Sequence, residues 1–186
     1  ELRHSFPTRR SSDLYKIHPA GLFFITLTVV GWIDVFTRRE YAEEVIRNLN
    51  YCSRQKGLEI YSFCIMPSHL HLICAAKDGS LSEILRDFKS YTSKQILKLI
   101  ETNPQESRKE WMLHLFQFYS KGNSHNSHFQ FWQQYNHPID LTDTKMIEQK
   151  QEYIHQNPVE AGLVTEPQYY TYSSANPDCG VDLAPH

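Results

Sequence analysis

The chain has 186 residues, 19 Lys+Arg against 21 Asp+Glu, 40% apolar and 13% aromatic residues. That length suits one domain with a real core, and the apolar share excludes a disordered chain. The net charge of −2 excludes a strongly electropositive nucleic-acid coat but leaves room for a local basic patch. No apolar run approaches the ~18 residues of a membrane span. Cys52, Cys64, Cys74 and Cys179 form no CxxC pair, which argues against a disulfide scaffold or a cysteine-rich zinc site. With no secretory signal in view, a cytoplasmic protein is expected.

At the N-terminus, His4 to Leu14 reads HSFPTRRSSDL, carries no apolar period of 2 or 3.6, and resembles a translated sequencing-adapter fragment. Residues 1–14 are expected to be a non-native segment and 15–186 a single domain; a basic phosphate-binding arm is the alternative. Leu22 to Val30 (LFFITLTVV) is rich in β-branched and aromatic residues and reads as a first strand. Thr37 and Glu40 form a T-x-x-E capping box, which predicts a helix with Tyr41, Val45, Leu49 and Cys52 on its apolar stripe and Gly57 at its end. Leu58–Met66 reads as a second strand and His69–Ala76 as its hairpin partner across the Pro67-Ser68 break. Ser80 and Glu83 cap a second amphipathic helix carrying Leu81, Ile84, Leu85, Phe88, Ile96 and Leu99. Trp111–Phe118 fits either strand or helix, and Phe129–Ile139 is expected to add a strand. Thr142 or Asp143 caps a last helix that should stop before Pro158. This order predicts an α+β fold, the ferredoxin-like split βαβ, with a central antiparallel sheet and helices packed on one face.

The sharpest local signal is His69-Leu70-His71. Alternate side chains of a strand share a face, so both imidazoles project one way and Leu70 and Leu72 the other. Two imidazoles so spaced can hold one metal ion, although two histidines on an open sheet face would read the same. The histidine-triad hydrolase pattern wants a third His where Ile73 stands, so that reading lacks its nucleophile. On the last helix Met146, Lys150, Tyr153 and Asn157 fall on one stripe. A tyrosine phenol is a competent nucleophile, an ammonium can bind a phosphate, and an amide oxygen suits Mg2+ or Mn2+. Spacing alone leaves Tyr153 equally readable as an ordinary helix residue.

SHLHLI and EYIHQNPVEAGLV, in this order and separation, resemble the REP-associated tyrosine transposases, which belong to the HUH superfamily of single-strand DNA transposases. FWQQYNHPI, ahead of the second motif, is similar to the family's preceding sheet segment. The resemblance covers about residues 20 to 175. It implies that His69, His71 and Asn157 hold a divalent cation, Mg2+ or Mn2+, with His155 and Gln156 as competitors for the third place. It implies Tyr153 as a nucleophile that cleaves and rejoins DNA through a 5′-phosphotyrosine link. The implied partner is single-stranded or hairpin DNA, handled by a monomer or a homodimer, with no membrane involved. A domesticated hairpin-binding protein that no longer transposes and a relaxase-like nickase are the rival readings.

DNA contacts are less well marked. Arg86, Lys89, Lys94, Lys98, Arg108 and Lys109 outnumber Asp87, Glu101 and Glu106 over residues 86–109, which fits either phosphate contacts or a solvated helix face. Lys150 is a further phosphate candidate, and Tyr91, Trp132 and Tyr135 are candidates for stacking on unpaired bases.

Overall fold

The computed structural model describes residues 21–122 and 128–185. Residues 1–14, read above as non-native, lie outside them. The elements in chain order are β1 (Phe23–Thr28), α1 (Arg39–Lys56), β2 (Leu58–Met66), β3 (His69–Ala76), α2 (Leu81–Thr102), α3 (Lys109–Ser120), β4 (Ile139–Asp140) and α4 (Thr144–Glu160), with single 3-10 turns at Val30–Trp32, Val35–Thr37 and Pro167–Tyr169. Among the described residues the strands form one antiparallel sheet in the order β2-β3-β1-β4. This is the α+β, split βαβ arrangement expected from the order of elements.

The sheet separates two apolar clusters. Phe23, Ile25 and Leu27 of β1 and Leu70, Leu72 and Cys74 of β3 face the larger one, together with buried residues of α1, α2 and α3. The intervening residues Phe24 and Ile73 face the smaller cluster, where Ile154 of α4 packs. The expectation that helices share one face therefore holds for α1, α2 and α3, while α4 covers the other. The second face is apolar enough to hold a helix because Phe24, Cys64, Met66 and Ile73 lie on it.

β2 switches side-chain parity midway. Ile60 pairs with Cys74 but Ser62 pairs with Ile73, so Tyr61 is an extra, bulged residue. Leu58 and Ile60 before the bulge and Phe63 and Ile65 after it all reach the larger core. Ser62, Cys64 and Met66 are thereby turned to the α4 side.

Several boundaries follow the predicted local chemistry. Ser80 caps α2, its hydroxyl accepting from the Glu83 amide. Gly57 ends α1 at φ 73, a left-handed conformation that a side chain would disfavour. The Thr37 box does not form: its hydroxyl donates to the Asp34 carbonyl at 2.9 Å, and Arg38 becomes the uncapped N-cap. Trp111–Phe118 is helical, inside α3.

Two expectations are corrected. Phe129–Ile139 runs beside β1 and joins its ladder only at Ile139: Trp132 bridges Val29 and Ile139 pairs with Phe24, so seven residue steps span five on β1. The surplus is absorbed around His137, at φ 42, next to Pro138, and only Ile139–Asp140 remains as strand. α4 also continues through Pro158 to Glu160. The proline lies two residues from the helix end, where it removes a single ladder bond, and it is buried like Ile154 four residues earlier. The chain then returns along the outer edge of β2: the Ile65 amide donates to Tyr172 O, Ser174 N to Phe63 O and Ala184 N to Ile60 O.

Candidate functional site

The site lies on the α4 face of the sheet. His69 and His71 stand at successive α4-side positions of β3, opposite Thr28 and Thr26 of β1. Their ring centroids are 4.6 Å apart and the planes are inclined by 74°. His71 is 4% exposed, stacks on Phe24 at 5.5 Å, and its Nδ1 lies 2.9 Å from Thr26 Oγ1. Its Nε2 is buried and has no hydrogen-bond partner. His69 Nδ1 lies 3.1 Å from Ser68 Oγ. Burial, with smaller contributions from His69 and Lys150, pushes His71 down to about 3, and burial lowers His69 as well. Both imidazoles are thus kept neutral, the form that binds metal.

α4 delivers the remaining groups. Asp143 caps it by accepting from the Met146 amide at 2.9 Å, and Ile154 anchors it in the smaller core. Tyr153, one residue before Ile154, is 45% exposed. Its ring lies 5.3 Å from His71 and 5.9 Å from Phe24. Lys150 Nζ sits 4.8 Å above the Phe24 ring and 5.6 Å from the Tyr153 ring. A half-exposed phenol, an ammonium and two imidazoles thus share one face of the sheet.

The donor set fits a divalent ion in part. An orphaned buried Nε2 costs free energy unless something binds it, and the threonine hydroxyl on the opposite ring nitrogen can accept from Nδ1–H, the tautomer that leaves the Nε2 lone pair free. Among the described residues no group of three His, Cys, Asp and Glu side chains gathers. Asn157 follows Tyr153 on the helix, its amide nitrogen 3.5 Å from the Tyr153 carbonyl. His155 is committed elsewhere: its Nε2 lies 2.8 Å from Ser174 Oγ and 3.3 Å from Ser62 Oγ, tying α4 to β2 and to the returning chain.

Of the residues expected to touch DNA, only Lys150 joins this site. Lys89 is turned inward, donating to Gln133 O at 2.6 Å and to Asn136 Oδ1 at 2.9 Å, and burial brings it down to about 8. Trp132 is 5% exposed and donates its indole N–H to Thr92 Oγ1. Both hold the 129–136 segment onto α2 and have no free face for a nucleic acid. Arg86 pairs with Asp87, which also pairs with Lys56. Lys94 and Lys98 are exposed, but α2 packs on the sheet face opposite the histidines. Sequence reading missed Thr26, Phe24 and Trp32 as site neighbours. The parity of β1 could have found the first two, since Phe24, Thr26 and Thr28 alternate with the core residues.

The IS200-like transposase profile matches residues 33–137, more than half of the chain, and includes both histidines but not Tyr153. The chain belongs to the IS200-like transposase family. A REP-associated tyrosine transposase, solved bound to a REP hairpin, superposes with a TM-score of 0.62 at 19% identity, covering 97% of this chain and 89% of that one. A crystallised protein from Deinococcus radiodurans R1 assigned as a transposase is more distant, with a TM-score of 0.43 at 18% identity over 72% of this chain and 88% of that one. No curated protein sequence matches.

Proposed function

We propose that this transposase is a metal-dependent enzyme that cleaves and rejoins single-stranded DNA at hairpin ends through a 5′-phosphotyrosine intermediate. The observation that carries the reading is the buried His71 with a partnerless Nε2 beside the half-exposed ring of Tyr153. In this reading Tyr153 Oη attacks the scissile phosphorus in line. The Tyr153 O–P bond forms, the P–O3′ bond breaks, the phenol gives up its proton, and a 3′-OH strand is released. Attack by a 3′-OH on the phosphotyrosine reverses the step and joins strands without an external energy source.

Lys150, whose Nζ lies 5.6 Å from the Tyr153 ring, would hold a phosphate oxygen during attack. His69 and His71, with Asn157 as the third candidate, would hold Mg2+ or Mn2+, which supplies Lewis-acid polarisation and orientation of the phosphate when bound. Thr26 would keep His71 in the ligating tautomer, and His155, bonded to Ser174 and Ser62, would fix the helix that carries the tyrosine. The hairpin partner is suggested by the structural relative, which was solved on a REP hairpin.

The test is covalent capture. Labelled single-stranded hairpin DNA from the gene's own flanks is incubated with Mn2+ and read on a denaturing gel. A protein–DNA adduct absent in Tyr153→Phe and in His69→Ala supports the reading. Hairpin binding without an adduct would favour a domesticated binding protein, and an adduct that persists in Tyr153→Phe would move the nucleophile elsewhere.

A further inference from the structure

The turn that follows β1 carries a tryptophan in an unfavourable place. Trp32 is 62% exposed, and its backbone is left-handed at φ 54. Gly31 before it is also left-handed, at φ 63 and ψ 12. A residue with a Cβ is disfavoured in that region, and a large apolar ring in water gains nothing from exposure. Neither feature is needed for packing, since glycine would suit the backbone better and any polar residue would suit the solvent.

The turn is nevertheless held firmly. The Val29 amide donates to Ser68 O at 2.9 Å, Val30 N to Phe131 O at 2.8 Å and Trp32 N to Val29 O at 3.1 Å. The Tyr119 ring closes on Gly31 so tightly that a Cβ there would fall 2.8 Å from its Cε2 and Oη. The indole is therefore presented at a defined position. It lies 5.7 Å from His69, edge to face at 74°.

Trp32 completes a row of rings. Tyr153 contacts His71, His71 contacts His69 and His69 contacts Trp32, at 5.3, 4.6 and 5.7 Å. Tyr153 and Trp32 thus flank the histidine pair from opposite ends. In-line attack places the leaving O3′ opposite the attacking phenol oxygen, and Trp32 is the ring farthest from Tyr153 along this row of contacts.

We propose that Trp32 is a stacking platform for the unpaired base of the nucleotide whose O3′ leaves, the one immediately 5′ of the cleaved phosphate. The inference rests on Tyr153 as nucleophile for the identity of that nucleotide, while base stacking itself is independent of cleavage. Every base has a π-face, so the platform is tolerant of sequence. It would also keep the released 3′ end beside the phosphotyrosine, ready for rejoining.

The test starts with binding, in the Tyr153→Phe background, to a short fluorescein-labelled oligothymidylate. Trp32→Ala should weaken binding by about 5- to 150-fold, the equivalent of about 1–3 kcal/mol for one stacked base. Trp32→Phe should retain affinity within a few-fold and lose most of the DNA-induced quenching of tryptophan fluorescence. Trp32→Gly should melt at the same or a higher temperature while binding as poorly as Trp32→Ala, which separates a binding role from a folding role. Unchanged affinity and quenching in Trp32→Ala would overturn the platform, as would an oligothymidylate that does not bind at all.

The second part uses the chain with Tyr153 intact and an abasic scan of the hairpin substrate. An abasic site just 5′ of the cleaved phosphate should weaken binding in the parent and have no effect in Trp32→Ala. Loss of sensitivity at a different position would overturn the leaving-strand assignment. Quenching without any covalent adduct would leave the platform standing and defeat the nucleophile reading, so the two failures are distinguishable.

Discussion

The two faces of the central sheet make opposite use of the same strand. On β3, Leu70, Leu72 and Cys74 enter a closed apolar core, and His69, His71 and Ile73 face α4. On the core side Leu70, Leu72 and Cys74 pack among hydrophobic side chains of β1, α1 and α2. On the α4 side a buried imidazole is left with a free nitrogen, a lysine sits over aromatic rings, and a tyrosine is half in water. The difference shows how a two-residue period lets one strand serve stability and chemistry at once. Residues that hold the fold and residues that would carry the proposed reaction alternate, so neither set interrupts the other.

Substitutions on the two faces should therefore separate stability from activity. Tyr153→Phe is expected to abolish adduct formation and leave the unfolding free energy within about 0.5 kcal/mol, as for other exposed positions. Leu72→Ala should do the reverse. It should cost about 2–5 kcal/mol in a urea titration, because Leu72 is fully buried, while adduct yield per folded molecule is kept. A large loss of stability in Tyr153→Phe would erase the contrast between the faces.

A finer test addresses Thr26. Thr26→Val keeps the shape and removes the hydroxyl beside His71 Nδ1. Mn2+ affinity by calorimetry should fall by about 10- to 100-fold, the usual effect of losing a partner that orients a ligand. Unchanged affinity would remove Thr26 from the site.

Acid sensitivity offers a third comparison. The folded chain holds His71 at about 3, whereas an unfolded histidine titrates near 6.5. The unfolded state then binds the extra proton, so metal-free protein loses stability as pH falls from about 6.5 toward 3, by up to about 1.4 kcal/mol per unit from this residue. Urea midpoints at about pH 7 and 5 should differ more in the parent than in His71→Gln, which cannot titrate. Lys94→Ala and Lys98→Ala, on the far side, should have the smallest effect. Each should weaken hairpin binding by only a few-fold and lower the salt slope by about 1 if it meets a phosphate at all.

The regular part of the fold was readable because local signals and tertiary structure agree there. β2 and β3 match their predicted ranges, and Ser80 caps α2 as its spacing indicates. The histidine pair was legible for the same reason, since strand parity alone aims both rings one way. The 129–139 segment was not, because its aromatic content reflects burial of Phe131 and Trp132 rather than ladder pairing. Pro158 misled because its missing N–H removes one ladder bond without ending the helix, which runs two residues further to Glu160. Lys89 and Trp132 looked like DNA contacts because sequence does not reveal which side of α2 meets another segment. The Tyr153 stripe needed the fold to place it, since nothing in helix spacing says that α4 crosses the sheet above β3.

The returning chain beside β2 has a consequence for how the protein behaves in concentrated solution. β2 is an outer strand, and its free backbone groups are met by Tyr172, Ser174 and Ala184, with the Tyr170 hydroxyl donating to Ile65 O. A chain cut before Tyr170 would retain all four strands and still present an open, apolar strand edge, the surface on which sheets add to one another. The last residues described thus act as an insulating margin that keeps one molecule's sheet from becoming the template for the next.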